Sequence, residues 1–323
     1  MIAIHIGLGL GAFLLMILFF VVNIRQTTGT EKVIRVSRQT SRLPVNRKVN
    51  PKLVKASPAA FGVTVMPSDF QINPKLSYYD LLVKPKQALA LAVTIQNSSD
   101  EPATFSLALN TAGTNDNGII DYTSEQLPSL PAGYLRDTPV LADIARLEQD
   151  MVTVLPKGSV TVPIKIQMPD QSFKGMILGA IHVLKLADDR SAGQAGLSNR
   201  YAVVKGVVIR ESLEQVPPKL ILNALDYQKQ ADQLMIQAQL INANASHIAH
   251  LSLKVTVIEQ ATGQVVSRQD SQALEMAPNS SFKYRFAVAS SRRLKGDYRL
   301  AITASDQAGH SWQLEKELTV VGD

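Results

Sequence analysis

VKPKQALALAVTIQNSSDEPATFSLALNTAGTNDNGIIDY, residues Val83 to Tyr122, is the stretch that decides the fold of this chain. From Gln87 onward the large apolar residues take every second position: Leu89, Leu91, Val93 and Ile95. After the polar break NSSDEP the rhythm resumes at Phe105, Leu107 and Leu109. Successive side chains of a pleated strand point to opposite faces, so each run is a half-buried strand. The break holds Asn97, Ser98, Ser99, Asp100 and Pro102, residues that favour turns through local hydrogen bonds and fixed φ. Together the runs predict a hairpin that buries its apolar face on a second sheet, which is a β-sandwich rather than an enzyme scaffold.

Outward from this stretch the same rhythm recurs. FGVTVM (Phe61 to Met66) predicts a first strand, and Asp80 to Val83 another. Leu141 to Gln149 has the spacing of a helical turn. Val152 to Leu155 and Val160 to Met168, joined by the turn at Pro156 to Ser159, predict a second hairpin. Pro163 lies inside that last strand and lacks a backbone donor, which calls for an edge or a bulge. Ile177 to Leu186 and Tyr201 to Ile209 complete the first sandwich, over residues 59–210. ESLEQVPPK follows, and its Pro217-Pro218 pair interrupts any ladder, so residues 211–218 form a linker. Seven alternating runs then fall between Leu220 and Val321, predicting a second sandwich over 219–323.

Ile2 to Ile24 is apolar apart from His5 and Asn23, and as a helix these residues reach about 34 Å, enough to cross a hydrocarbon core. Residues 1–24 are therefore expected to be a transmembrane helix or signal-anchor. The expected fold class is all-β: two immunoglobulin-like β-sandwich domains in tandem behind that helix.

Composition narrows the chemistry. The 323 residues contain no cysteine, which excludes disulfides, thiolate metal sites and cysteine nucleophiles. The net charge is +6, but nine basic residues and one acid between Arg25 and Lys55 contribute +8, leaving −2 for the remainder. The folded part therefore offers no basic face for nucleic acid. Residues 25–58 read either as a solvated linker or as an electrostatic tether to anionic headgroups or wall polymers. A basic flank would place that side of the span in the cytoplasm, although large domains translocate largely regardless of charge.

Asn115, Asp116, Asn117, Gly118 and Asp121 partly mimic a calcium loop, but the register puts Gly113 and Ser124 where carboxylates are needed. A turn held by Asn and Asp side chains fits better. His247 and His250 stand three apart in a polar loop without further ligands and are expected at the surface. No G-x-S-x-G elbow or phosphate-binding glycine loop occurs, so no catalytic residue, cofactor or metal is assigned. Trp312 has two readings, core packing or an exposed anchor, and Arg292, Arg293 and Lys295 have two, a solvated turn or a contact for acidic glycans.

Residues Thr114 to Tyr122, TNDNGIIDY, resemble the T-N-x-N-G-x-I-D-Y pattern of the WxL-interacting proteins of Gram-positive surfaces. The resemblance continues in order through FGVTVMPSDFQINPKLSYYDLLVKPKQ (from Phe61), FKGMILGAIHV (from Phe173), MAPNSSFKYRF (from Met276) and LKGDYRLAI (from Leu294). It implies a peptidoglycan-binding first domain, a host-binding second domain and WxL-domain surface proteins as partners. It implies a non-enzymatic binding and scaffold protein, membrane-attached, with its folded domains in the cell wall. The family also carries a carboxy-terminal span, whereas here the apolar segment lies at the front: either the anchor has moved to the amino terminus or the carboxy-terminal span is missing. Tyr78, Tyr79 and Tyr122 are the candidate sugar or peptide contacts, with buried core tyrosines as the alternative. The competing function is an immunoglobulin-like chaperone that assembles surface proteins by strand donation.

Overall fold

The computed structural model describes residues 21–22, 61–124, 130–186, 200–230, 233–289 and 295–321. Apart from the one-turn helix α1 (Leu141–Ile144), its regular structure is all strand. The first core lies between two sheets. One has the order β12 (Arg200–Arg210), β11 (Ile177–Lys185), β5 (Ala103–Thr111), β9 (Met151–Val154). Along the outer edge of β12, β3 (Tyr79–Leu82) pairs parallel and β1 (Val21–Val22) antiparallel. The facing sheet has the order β2 (Phe61–Val65), β4 (Ala88–Asn97), β10 (Ser159–Gln167), β8 (Ala145–Leu147).

The strands of the deciding stretch are where the alternation puts them, but they do not pair. β4 belongs to one sheet and β5 to the other, so the expected hairpin is an arch across the sandwich. The same holds for Val152 to Met168: β9 pairs with β5, whereas β10 pairs with β4. The physical reason is burial. An arch sets Leu89, Leu91, Val93 and Ile95 against Phe105 and Leu107 from the opposite layer, so that each apolar row covers the other. Both crossings meet at Asn97, which is 0% exposed. Its Nδ2 lies 2.8 Å from Glu101 O, 3.1 Å from Val154 O and 3.3 Å from Leu155 O, while its Oδ1 accepts from Ser99 N and Oγ. One side chain thus caps the carbonyls that two chain reversals leave without ladder partners.

Pro163 lies in an interior strand, but β8 covers only Ile164 to Ile166 of β10, so the proline stands just past its end. The predicted helical turn is shorter than the run suggested, and Ala145 continues directly into β8.

The second sandwich packs β13 (Leu220–Gln230), β14 (Gln233–Asn242) and β17 (Ser280–Ala289) against β16 (Val265–Met276), β15 (Ile248–Glu259), β18 (Gly296–Ser305) and β19 (Ser311–Val320). Its core includes Ile236, Leu240, Leu253, Val255, Phe282, Phe286, Leu300 and Ile302. Trp312 is half-buried against this core, its ring centroid 6.0 Å from that of His310.

The expected span 1–24 and linker 25–58 lie outside the described residues except for Val21–Val22, which are extended against Tyr201 and Arg200 rather than helical. No helix among the described residues is long and apolar enough to cross a membrane. Arg292 and Arg293 also lie outside them.

Replacing Asn97 with alanine leaves buried carbonyls unpaired at both crossings. It is expected to lower the unfolding free energy by about 2–3 kcal/mol in urea denaturation, whereas Gln96→Ala, on the exposed face of the same strand, stays within about 0.5 kcal/mol.

Candidate functional site

The TNDNGIIDY stretch folds into a small hairpin, β6 (Gly113–Thr114) with β7 (Ile120–Asp121), that projects from the first sandwich onto the second. Asn115 builds the turn: its Oδ1 accepts from Asn117 N at 3.0 Å and Ile119 N at 3.3 Å, and its O accepts from Gly118 N. Gly118 has φ +69°, and a Cβ there would stand 2.9 Å from Leu274 Cδ2 of the second sandwich. The glycine therefore serves both the turn and the close approach of the other domain.

Thr114, Asp116 and the Gly118 carbonyl of this hairpin find partners across the joint. Ala277 N donates to Thr114 Oγ1 at 3.0 Å. Ser280 Oγ donates to Ala277 O at 2.7 Å, which leaves Thr114 Oγ1 as the donor to Ser280 Oγ at 2.6 Å. The three bonds close a ring in which each hydroxyl both accepts and donates. Asp116 accepts from Lys283 N at 3.1 Å and pairs with Arg285 at 2.8 Å, and Glu275 N donates to Gly118 O at 2.7 Å. Beside the hairpin, Asn279 Nδ2 donates to Thr138 Oγ1 at 2.9 Å and Met176 N to Ala245 O at 2.8 Å. Gly175, in the FKGM run, has φ +86°, and a Cβ there would lie 2.1 Å from Ala245 O.

Four of the stretches that carry the family resemblance thus meet in one place, the joint between the sandwiches. An apolar cluster of Tyr78, Ala112, Ile120, Leu178, Val208 and Ala277 underlies it, with Tyr122 packed against it. Three of the four oxygen-bearing side chains of the calcium-like loop are committed elsewhere: Asn115 to its turn, Asp116 to Lys283 and Arg285, Asp121 to Thr123. Among the described residues no three metal-ligating side chains converge.

The candidate tyrosines are divided. Tyr78 and Tyr122 lie together in the joint, where burial first, and the neighbouring acids Asp80 and Glu275 respectively, push both phenols up. Tyr79 is 1% exposed in the first core. Its hydroxyl lies 2.7 Å from Ala92 O and 2.9 Å from Met66 O and accepts from Ala92 N, tying β3 to the facing sheet. A surface cleft of about 80 Å³ opens beside Met66, Pro67, Gln71, Pro74 and Leu76, with Tyr78 and Tyr79 in its wall.

His247 is the residue that the sequence misplaced. Expected at the surface, its side chain is 8% exposed and lines a small cavity with Tyr78, Asp80, Met176, Leu178 and Arg210. Burial, then His250, pulls its pKa down to about 4. Asp80 pairs with Arg210 at 2.8 Å, yet burial still raises its carboxyl, as it does that of Glu275, 3.9 Å from the His247 ring. No local signal marks His247, because the groups that bury it come from β3, β11 and β12.

Two outcomes follow from this geometry. Thr114→Val breaks the hydroxyl ring and is expected to loosen the joint by about 1–3 kcal/mol, read as faster amide exchange at Ala277 with little change at Ile236. For His247, the folded pKa of about 4 lies below the ordinary 6.5, so the open or unfolded state binds the extra proton. Its contribution is full above about pH 6.5 and is lost as pH falls toward 4, by at most about 3 kcal/mol. The raised carboxyls of Asp80 and Glu275 act in the opposite sense, and subtraction of the His247→Gln profile isolates the histidine.

The WxL Interacting Protein peptidoglycan binding domain model matches residues 61–185, and the WxL Interacting Protein host binding domain model matches residues 193–323. The second match begins before β12, although β12 hydrogen-bonds within the first sandwich. No curated protein matches in sequence. Similar solved structures include the Pseudomonas aeruginosa CupB2 chaperone, 11% identical with a TM-score of 0.29, covering 75% of this chain and 97% of that one. The E. coli chaperone DraB is 11% identical with a TM-score of 0.28, covering 81% and 97%. PapD-like domain 7 of human CEP192 is 11% identical with a TM-score of 0.29, covering 54% and 100%. These structural likenesses carry no argument about the chain. The two family matches run in the order that the motifs implied and leave little of the folded part uncovered, and this chain belongs to the WxL-interacting protein family.

Proposed function

We propose that the chain is a non-enzymatic scaffold of the Gram-positive cell surface, with the first sandwich attached to peptidoglycan and the second turned toward host components. WxL-domain surface proteins are its partners, and the anchor expected within residues 1–24, ending ahead of the extended Val21–Val22, holds it in the membrane with both sandwiches outside. The observation that carries this proposal is the paired match: a peptidoglycan binding domain followed by a host binding domain. The joint supports it physically, because a clasp of side-chain and backbone bonds fixes the spacing between two binding surfaces.

Wall contact is assigned to the cleft beside Met66 to Leu76. It is the place where candidate tyrosines Tyr78 and Tyr79 border a surface concavity, and Met66 and Ile72 stand exposed nearby. The exposed Met66 and Ile72 offer the apolar surface, buried Tyr78 and Tyr79 back it, and Gln71 offers an amide at the rim. Tyr122 lies outside this cleft and acts through the joint.

Co-sedimentation of the full chain with purified peptidoglycan tests the assignment. Retention is expected to persist at about 1 M salt, where the Debye length falls to about 3 Å and a tether built on residues 25–58 would release. Met66→Arg at the cleft rim, where the side chain is exposed, is expected to weaken retention roughly tenfold without lowering the thermal midpoint. Loss of retention in salt would hand the attachment to the basic segment, and absence of sedimentation at any ionic strength would contradict it.

A further inference from the structure

We propose that the outer edge of β12 between Ala202 and Gly206 is a docking site for an extended strand of a partner protein, one that brings a carboxylate to Lys205. None of the residues of this edge lines the cleft assigned to peptidoglycan, and the site does not depend on it.

β11 covers one side of β12 from Ala202 to Ile209. On the other side β3 is in register only with Val207 to Arg210, and Val21–Val22 only with Tyr201 and Arg200. Among the described residues, Ala202 to Gly206 therefore has no register partner on that side. Val83 N donates to Arg210 O across this edge at 2.9 Å. Backbone groups alternate sides along a strand, so the even-numbered residues of β12 turn their N–H and C=O toward the edge. Val204 stands at the middle of the uncovered run. A row of such groups is a template on which a second chain adds a strand through main-chain bonds.

The side chains give the partner its chemistry. Lys205 is directly opposite Ile181, which is 0% exposed, and residues opposite each other in a ladder share a face. Lys205 therefore belongs to the core-facing row Tyr201, Val203, Lys205, Val207, Ile209. Where β3 lies alongside, Val207 and Ile209 are buried; in the run without a register partner, Val203 and Lys205 are only half-buried. Burial lowers the Lys205 ammonium, with no neighbouring acid acting against it. An added strand buries this cation further, which is costly unless the strand brings an anion. The lysine thus rejects apolar and basic strands and admits an acidic one, so it acts as guard and selector in one residue.

The test uses the full chain and fluorescent nine-residue peptides of alternating Val and Thr, with Asp, Val or Lys at the central inward position. Anisotropy reports affinity, and amide hydrogen exchange reports where the peptide lies. The Asp peptide is expected to bind at least about tenfold more tightly than the Lys peptide and to slow exchange within Ala202–Gly206. Lys205→Glu is expected to reverse that preference, and Val204→Pro, which removes a donor from the edge, to abolish the protection while peptidoglycan retention is unchanged. Equal binding of the Asp and Lys peptides would overturn the proposal, as would saturation without protection in Ala202–Gly206. Slow exchange there before any peptide is added would also overturn it, by showing that another segment of this chain already occupies the edge.

Discussion

Both cores depend on one constraint: every alternating apolar row must be covered by a row from the opposite layer. In the first sandwich this forces the chain to cross from sheet to sheet at Asn97 and again at Leu155 to Gly158, instead of turning back within one sheet. The crossings expose backbone carbonyls to the interior, and a single asparagine satisfies them. The polar residue in the middle of an apolar stretch is therefore a structural requirement of the apolar packing around it.

The joint applies the same principle between domains. Its apolar floor is small, and specificity comes from hydrogen bonds that a shifted domain would lose together: Thr114, Ser280 and Ala277 in a ring, Asp116 on two groups of β17, Gly118 under Glu275. Two glycines permit the approach, since any Cβ at Gly118 or Gly175 would meet the second sandwich. The motif residues that invite comparison with a metal loop or a ligand site thus hold two modules at a set spacing.

Much of this was legible in the sequence, and what was not has a common cause. Strand positions followed from the period of two, as Leu89 to Ile95 and Phe105 to Leu109 illustrate, because inward and outward positions are fixed by the pleat alone. Pairing was not legible. A hairpin and an arch place the same residues inward, and only the opposite layer decides between them. The joint was half-legible: Asn115 and Gly118 announced a turn, but nothing local announced that Ser280, 166 residues away, would face Thr114. His247 shows the same limit, since a histidine in a polar loop is exposed until another domain covers it.

A double electron–electron resonance measurement tests the central claim, that the two sandwiches are one clasped unit. The chain has no cysteine, so spin labels on Leu155→Cys and Gln313→Cys attach at those positions alone, one exposed site on each sandwich. A clasped joint predicts a single narrow distance distribution, whereas a broad or multimodal one would show the sandwiches moving independently and contradict the account.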